Sequence, residues 1–234
     1  MATTEPHDGR HEALLSRWNA LLVSARDGGA RPDPTPYGEE LLSRWAEPHR
    51  HYHGTSHLLT VLNRVDELAS HVEDPEGPPE PGAQDLDLDA VHLAAWFHDA
   101  VYRPDRSENE ERSARLAERA LPEVGVSEPR TAETARLVRL TVTHDPASGD
   151  LNGAVLCDAD LAVLAGSPEE YAHYAAEVRQ EYAFVPDAAF REGRASVLGQ
   201  LLGLPRLFRT AYGRAQWEHI ARRNLTTELE LLTP

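Results

Sequence analysis

Apolar residues recur every three or four positions along nearly the whole chain, and this helical spacing limits the fold more than any other feature. The pattern is clearest over residues 11–26 and 54–72, where leucine and valine mark one side of each segment. Isoleucine and valine are otherwise sparse, and no alternating apolar run exceeds a few residues. No internal repeat is visible. We therefore predict a single all-α domain of about nine to eleven helices.

The periodic segments and the breaks between them predict the organisation of this domain. The predicted helices are 11–26, 35–46, 54–72, 89–102, 107–121, 127–144, 153–164, 168–184, 186–202 and 217–232. Residues 1–10 are expected to form a flexible tail, and the domain is expected to span 11–234. Residues 73–84 are rich in proline, glycine and acid, which predicts an exposed insertion rather than a domain boundary. Ser107 and Glu110 have the spacing of a capping box at a helix start.

Charge and cysteine content exclude several classes of function. The 39 acidic and 23 basic residues give a formal net charge of −16. Binding to a nucleic-acid polymer or an anionic membrane surface needs clustered lysine and arginine, so we expect neither. The single cysteine, Cys157, excludes an intramolecular disulfide and a multi-cysteine metal site. Neither a signal peptide nor a membrane span is indicated, which predicts a cytoplasmic protein.

Twelve histidines in an acidic chain raise the question of a metal site. His98 and Asp99 follow an apolar helical segment. Adjacent helical residues point about 100° apart, but they can converge on one ion where the helix ends; alternatively, they only cap it. His53 and His57 are four residues apart and share a helix face if the helix includes both. Their alternative is a solvated or hydrogen-bonded pair near a helix start.

Two acids, Asp158 and Asp160, interrupt another apolar helical segment. A carboxylate inside an apolar helix is costly unless it is paired or bound to a metal, so at least one of them is expected to need a cation if this helix is buried. Because the two side chains point about 200° apart on a helix, they are not both expected to bind the same ion. The alternative is a salt bridge from one of them to an arginine.

Taken in order, these segments resemble the HD superfamily of metal-dependent phosphohydrolases, and more closely a little-characterised bacterial branch of it. The resemblance covers about residues 14–232, nearly the whole chain. The His-Asp pair is unspecific alone, whereas the ordered set of motifs is specific. The motifs are Arg50-x-Tyr52-His53-x-x-x-His57, Trp96-Phe97-His98-Asp99-x-x-Tyr102, Asn109-Glu110-x-x-Ser113-Ala114, Asp158-Ala159-Asp160-Leu161, Val178-Arg179-x-Glu181-Tyr182 and Ala221-Arg222-x-Asn224-Leu225.

The resemblance implies an HD-type helical domain that binds a metal through His57, His98, Asp99 and Asp160. Asp160 is preferred to Asp158 because the family's last ligand usually lies in an Ala-Asp-hydrophobic context. Imidazole and carboxylate ligands suit Mn²⁺, Fe²⁺, Co²⁺, Ni²⁺ or Zn²⁺, and one or possibly two ions are expected. The fuller histidine series of the cyclic-dinucleotide phosphodiesterases is absent, so that activity is not implied.

The expected activity is hydrolysis of a small phosphomonoester or nucleotide. A divalent metal lowers the pKa of its bound water to about 7, which gives a hydroxide that attacks phosphorus. Glu110 or His53 is expected to assist proton transfer, although Glu110 alternatively belongs to the capping box. His53 and His144 are candidates to extend the site toward a second metal or the phosphate. The net charge disfavours a highly anionic polymer as substrate.

Three arginines are candidates for binding the substrate phosphate, because a guanidinium forms bidentate hydrogen bonds with phosphate. They are Arg50, Arg179 and Arg194, and the alternative for each is a structural ion pair. A second hypothesis is a regulatory protein that binds metal and nucleotide without hydrolysis, with Tyr52, Tyr102 and Tyr182 as stacking residues. A third is a di-iron oxygenase, which some HD-fold proteins are. The sequence indicates no particular oligomeric state.

Overall fold

The computed structural model describes residues 7–27, 31–72 and 85–233, and these residues form an all-α structure. Its helices are α1 (His7–Ala25), α2 (Thr35–Trp45), α3 (Thr55–Val72), α4 (Leu88–Phe97), α5 (Asn109–Glu123), α6 (Glu128–Leu140), α7 (Leu151–Leu161), α8 (Pro168–Glu181), α9 (Asp187–Gly203), α10 (Ala211–Gln216) and α11 (Glu218–Leu232). A short 3₁₀ helix, Ala162–Ala165, follows α7. An isolated bridge joins Arg26 and Val126, and the described ranges contain no β-strand. The predicted fold class is confirmed.

The observed helices differ from the predicted ones mainly at their ends. α1 begins at His7, so residues 7–10 are helical and not part of a tail. α4 and α6 end earlier than predicted, at Phe97 and Leu140. α10 was not predicted, because a helix of six residues is too short to show a periodic pattern. Residues 1–6 and the predicted insertion at 73–84 lie outside the described residues.

The predicted capping box of α5 is wrong. The helix begins at Asn109 with Glu108 as its N-cap residue, and no side chain caps it. The side chain of Asn109 instead closes the preceding loop. Its Oδ1 accepts from the backbone N–H of Arg103 at 3.1 Å, and its Nδ2 donates to the carbonyls of Arg103 and Arg106 at 3.0 and 3.2 Å. Because an amide both donates and accepts, the Asn109 side chain pairs with backbone N–H and carbonyl groups of this loop. The Ser107 hydroxyl was expected to pair with backbone groups at the helix start instead.

The described residues divide into two compact units. The first comprises α1, α2, the start of α3 up to Leu62, and α4 to α6. Its core includes three aromatic rings in edge-to-face contact, with the Trp18 centroid 5.3 Å from Trp96 and 6.3 Å from Phe97. α4 is buried along nearly its whole length and packs against α1, α5 and α6. This burial explains why α4 is apolar on all sides rather than on one face.

The second unit comprises α3 from Asn63 onward, α7, the 3₁₀ helix and α8 to α11. α7 is buried from its second residue to Ala159. α11 packs against α9, α10 and the 3₁₀ helix, and Asn224 on α11 donates to the carbonyls of Leu164 and Gly166, both at 2.9 Å. The described part of the chain contains no helix with the length and apolar character that crossing a membrane requires.

Candidate metal centre

His98 and Asp99 lie in the turn that ends α4. His98 is the C-cap residue, and its backbone N–H donates to the Ala94 carbonyl at 2.8 Å. Because the helix stops at this point, the two adjacent side chains are no longer held about 100° apart. Asp99 Oδ2 lies 3.3 Å from His98 Nε2. This is the convergence at a helix end that the sequence predicted.

His57 brings the third donor atom from the first turns of α3. Its Nε2 lies 3.2 Å from His98 Nε2 and 3.9 Å from Asp99 Oδ2. All three residues are buried, with exposed fractions of 5%, 1% and 9% for His57, His98 and Asp99. Within the described ranges they are the one group of at least three histidine, cysteine or acidic side chains that can hold a metal ion.

The dimensions of this triangle fit a first-row divalent metal. Edges of 3.2, 3.3 and 3.9 Å place one common point about 2.0 Å from each of the three atoms. Zinc is bound by imidazole nitrogen and carboxylate oxygen at about 2.0–2.2 Å. The three donor atoms are therefore spaced as ligands of one such ion would be.

A backbone carbonyl fixes the tautomer of His98. The Nδ1 atom lies 2.9 Å from the carbonyl oxygen of Ala95. Because a carbonyl only accepts hydrogen bonds, Nδ1 carries the proton and Nε2 of the neutral ring carries the lone pair. That lone pair faces His57 and Asp99. Histidine ligands of metals characteristically donate their other N–H to a carbonyl or carboxylate in this way.

Two aromatic side chains form walls beside the imidazoles. The Trp45 ring lies 5.4 Å from the His98 ring, and the Tyr52 ring lies 4.7 Å from the His57 ring, measured between centroids. Trp45 Nε1 donates to the Trp96 carbonyl at 3.0 Å, which fixes the indole. Trp45 was not predicted as part of the site. Its helical spacing in α2 indicated only a buried face, and only the tertiary structure shows what that face covers.

Arg50 joins the loop before α3 to the turn after α4. Its Nη1 donates to the carbonyls of Asp99 at 2.7 Å and His53 at 3.0 Å, and its Nη2 donates to that of Ala100 at 3.3 Å. Nε and Nη2 also contact Glu47 Oε2, both at 3.2 Å, and the side chain is 1% exposed. These contacts favour the structural alternative for Arg50. Its binding of a phosphate stays a prediction.

The other candidates of the first unit lie outside the group of three. His53 precedes α3, so it does not share a helix face with His57; its ring stacks on Tyr102 at 4.2 Å and lies 5.8 Å from the His57 ring. Glu110 lies in the first turn of α5 and is partly exposed. His144 follows α6 in a left-handed conformation with φ of 50°. The roles predicted for these three residues stay predictions.

In the second unit, Arg179 and Arg194 have the structural ion pairs that were their alternatives. Arg179 donates to the carbonyls of residues 182 and 185 and to Asp187, which holds the connection between α8 and α9. Arg194 pairs with Glu228 through two hydrogen bonds of 2.8 and 2.9 Å. Both guanidinium groups are thus engaged within the protein, and phosphate binding by them stays a prediction.

Asp158 is satisfied without a cation. Its Oδ1 accepts from the backbone N–H of Arg209 at 2.7 Å, and its Oδ2 accepts from the N–H and hydroxyl of Thr210 at 2.8 and 2.7 Å. Burial raises the pKa of Asp158 to about 6, against the lowering effect of these hydrogen bonds. Three hydrogen-bond donors therefore surround Asp158, and the expectation that at least one of the two acids needs a cation stays a prediction. Asp160 lies in the last turn of α7, partly exposed, and its role as a metal ligand stays a prediction.

Protein-family models, curated proteins and solved structures yield no match to this chain. The chemistry of the centre therefore follows from its own donor atoms. Two imidazole nitrogens and one carboxylate oxygen make a mixed donor set of the kind that Zn²⁺, Fe²⁺, Co²⁺, Ni²⁺ and Mn²⁺ accept. The group of His57, His98 and Asp99 can hold a metal ion of this class.

Proposed function

We propose that this chain is a metal-dependent phosphohydrolase of the HD superfamily that acts on a small phosphomonoester or nucleotide. The observation that supports the proposal is the triangle of donor atoms from His57, His98 and Asp99. These residues come from the two motifs on which the resemblance most depends. They meet in space although 41 residues separate the two histidines in the sequence.

The surroundings of the three ligands prepare the centre for hydrolysis. A divalent ion held there supplies a hydroxide at neutral pH, because it lowers the pKa of a bound water to about 7. The two histidine side chains are 3% and 2% exposed, whereas that of Asp99 is 12% exposed. Solvent therefore reaches the centre beside the carboxylate, and in this proposal the phosphate ester approaches from that side.

The residues near this opening support the proposed choice of substrate. The His53 ring lies 5.8 Å from the His57 ring and stacks on Tyr102, beside the centre, so in this proposal it is the candidate for moving a proton to the leaving group. The net charge of −16 repels a long polyanion, while a bound cation compensates locally for one small phosphate. A phosphomonoester or a nucleotide fits both conditions.

The experiment combines metal analysis with an activity panel on the full-length chain. We expect purified protein to contain a first-row divalent metal and to release phosphate from at least one nucleotide or phosphomonoester when Mn²⁺, Co²⁺ or Ni²⁺ is added. Chelation should abolish the release. Metal-loaded protein that releases phosphate from no substrate would contradict hydrolysis and leave metal binding alone. Two irons with oxygen consumption would instead indicate an oxygenase.

Variants test the ligand assignment separately from the reaction. His98→Ala and Asp99→Ala should each lose the metal and the activity, since each removes a donor atom from a three-atom group. His173→Ala is the matched control, because this histidine side chain is 75% exposed and pairs only with Glu177 on its own helix. Glu76→Ala, in the 73–84 segment, should also retain both properties. Metal retained at the wild-type level by the His98 and Asp99 variants would overturn the site.

A further inference from the structure

The second unit contains a cavity of about 490 Å³ that shares no residue with the metal centre. One wall is the segment before α7 and the first turns of that helix. The other wall is the segment between α9 and α10 with the start of α10. Three of the twelve lining residues are arginines, Arg206, Arg209 and Arg214. The one acid in the lining is Asp150, whose Oδ1 accepts from the N–H of Gly153 at 2.9 Å as a helix cap.

The segment that carries Arg206 and Arg209 is held in place by hydrogen bonds from its backbone to carboxylates. Four consecutive N–H groups, over residues 207–210, donate to acids. The N–H groups of residues 207 and 208 donate to Glu218 at 3.0 Å each. The N–H groups of Arg209 and Thr210 donate to Asp158 at 2.7 and 2.8 Å. Glu218 also pairs with Arg222. Asp158 and Glu218 thus fix the position of this loop through its backbone.

Two arginines of the cavity have no carboxylate partner within the described part of the chain. The exposed Arg191 of the same unit also donates only to backbone carbonyls, whereas Arg179, Arg194 and Arg222 pair with Asp187, Glu228 and Glu218. Over the ranges that the structure describes, Arg206 and Arg214 have no such ion pair, although Arg214 donates to the Arg209 carbonyl. In a chain with 39 acidic and 23 basic residues, carboxylates are abundant. Two guanidinium groups without an ion pair to any described carboxylate, in a lining that holds three arginines and one acid, indicate a site for an anion from outside the chain.

We propose that this cavity binds a small phosphorylated molecule through Arg206 and Arg214. Three guanidinium groups and one carboxylate give the lining a net positive charge that suits an anion of two or more negative charges. Arginine forms paired, parallel hydrogen bonds with phosphate oxygens, and each phosphate group offers more acceptor oxygens and more negative charge than a carboxylate. The Ser148 hydroxyl adds a neutral donor. The volume lies within the range of about 300–1,000 Å³ that is typical of small-molecule sites.

The test is calorimetric titration of the chelator-treated, full-length chain with inorganic pyrophosphate. Removing metal separates this site from the metal centre, and His98→Ala should bind pyrophosphate as the wild type does. The double variant Arg206→Ala/Arg214→Ala should weaken binding by about tenfold or more, because charge-assisted hydrogen bonds are lost. Arg223→Ala is the matched control. It removes one exposed arginine of the same unit that does not line the cavity, and it should retain the affinity.

Three results would overturn this proposal. The first is no binding of pyrophosphate by the wild type at millimolar concentration. The second is an equal loss of affinity in the control and the double variant, which would indicate attraction by overall charge alone. The third is binding of citrate as tight as that of pyrophosphate, which would contradict recognition of phosphate. Circular dichroism and thermal melts of the double variant confirm that it is folded, since both replaced side chains are exposed.

Discussion

Replacing Arg194 with methionine should destabilise the protein strongly, because it leaves a buried carboxylate without its cation. The Arg194 and Glu228 side chains are 9% and 13% exposed and share hydrogen bonds of 2.8 and 2.9 Å. Tyr174 accepts a further hydrogen bond from Arg194 at 3.2 Å, and Tyr171 donates to Glu228. Methionine retains most of the unbranched stem of arginine and removes the guanidinium. Glu228 would then have only the Tyr171 hydroxyl to stabilise its charge.

The expected magnitude follows from the burial of the pair. Removing one partner of a buried ion pair lowers the free energy of unfolding by about 3–5 kcal/mol, since the other charge remains desolvated. In a chain of this size each kcal/mol shifts Tm by about 2–4 °C, so Tm should fall by roughly 6–20 °C. Replacing both partners, as in Arg194→Met/Glu228→Leu, removes the stranded charge. The double variant should therefore be more stable than Arg194→Met alone.

Urea unfolding at pH 7, followed by circular dichroism, measures these differences. Arg191→Met is the matched control on the same helix, because Arg191 is exposed and donates only to the carbonyls of residues 231 and 232. Its effect should stay below about 1 kcal/mol. An equally small effect for Arg194→Met would refute the reasoning, since it would mean that Glu228 does not depend on this guanidinium. Losses in the double variant equal to the sum of the two single variants would refute it as well.

Three further predictions concern Asp158, Gly213 and Arg50. Burial raises the pKa of Asp158 from 3.8 to about 6, so the folded chain binds a proton more tightly than the unfolded chain. The protonated carboxyl therefore adds at most about 3 kcal/mol to the free energy of unfolding. This contribution is complete below pH 4 and is lost as the pH rises through 6. Urea midpoints between pH 4 and 7 should show this slope in the wild type and a flatter one in Asp158→Asn, and equal slopes would contradict it. Gly213→Ala should destabilise the protein by about 1–3 kcal/mol, because the added Cβ would lie 2.6 Å from Asp158 Oδ2. Gly199→Ala is the control and should stabilise its helix, because no atom lies within 4 Å of the added Cβ. Thermal melts in the reverse order would refute this. Arg50→Lys should weaken metal binding by about tenfold, because an ammonium cannot serve all the carbonyls that the guanidinium joins, and unchanged affinity in a metal titration would exclude that role.

Periodicity predicted the helices and drew attention to His98 and Asp99 as candidate ligands for a clear physical reason. An apolar run such as α4 must be buried, and the polar pair His98 and Asp99 at its end marks where the chain leaves the core. Helical spacing does not show which other element covers a given face. It therefore placed His57 on a helix, while only the family resemblance placed it beside His98.

Partners at long range were the part that sequence reasoning could not supply. At least one of Asp158 and Asp160 was expected to need a cation, but the donors to Asp158 are two backbone N–H groups and a hydroxyl, 51 and 52 residues further along the chain. Glu228, which neutralises Arg194, is 34 residues away. Nothing local distinguishes an arginine that binds a phosphate from one that has its carboxylate elsewhere in the fold. The exposed positions of Arg206 and Arg214 became informative only when the cavity was visible.

The contacts of Arg50 have a consequence for how the metal centre is assembled. One guanidinium joins the carbonyl of His53, before α3, to those of Asp99 and Ala100, after α4. The entropy lost in bringing the two ligand-bearing segments together is therefore lost when the protein folds, and not when the ion arrives. The centre is preorganised in the manner of a rigid chelator. We therefore expect an ion bound there to dissociate slowly, and the chain around it to stay folded when the ion is removed.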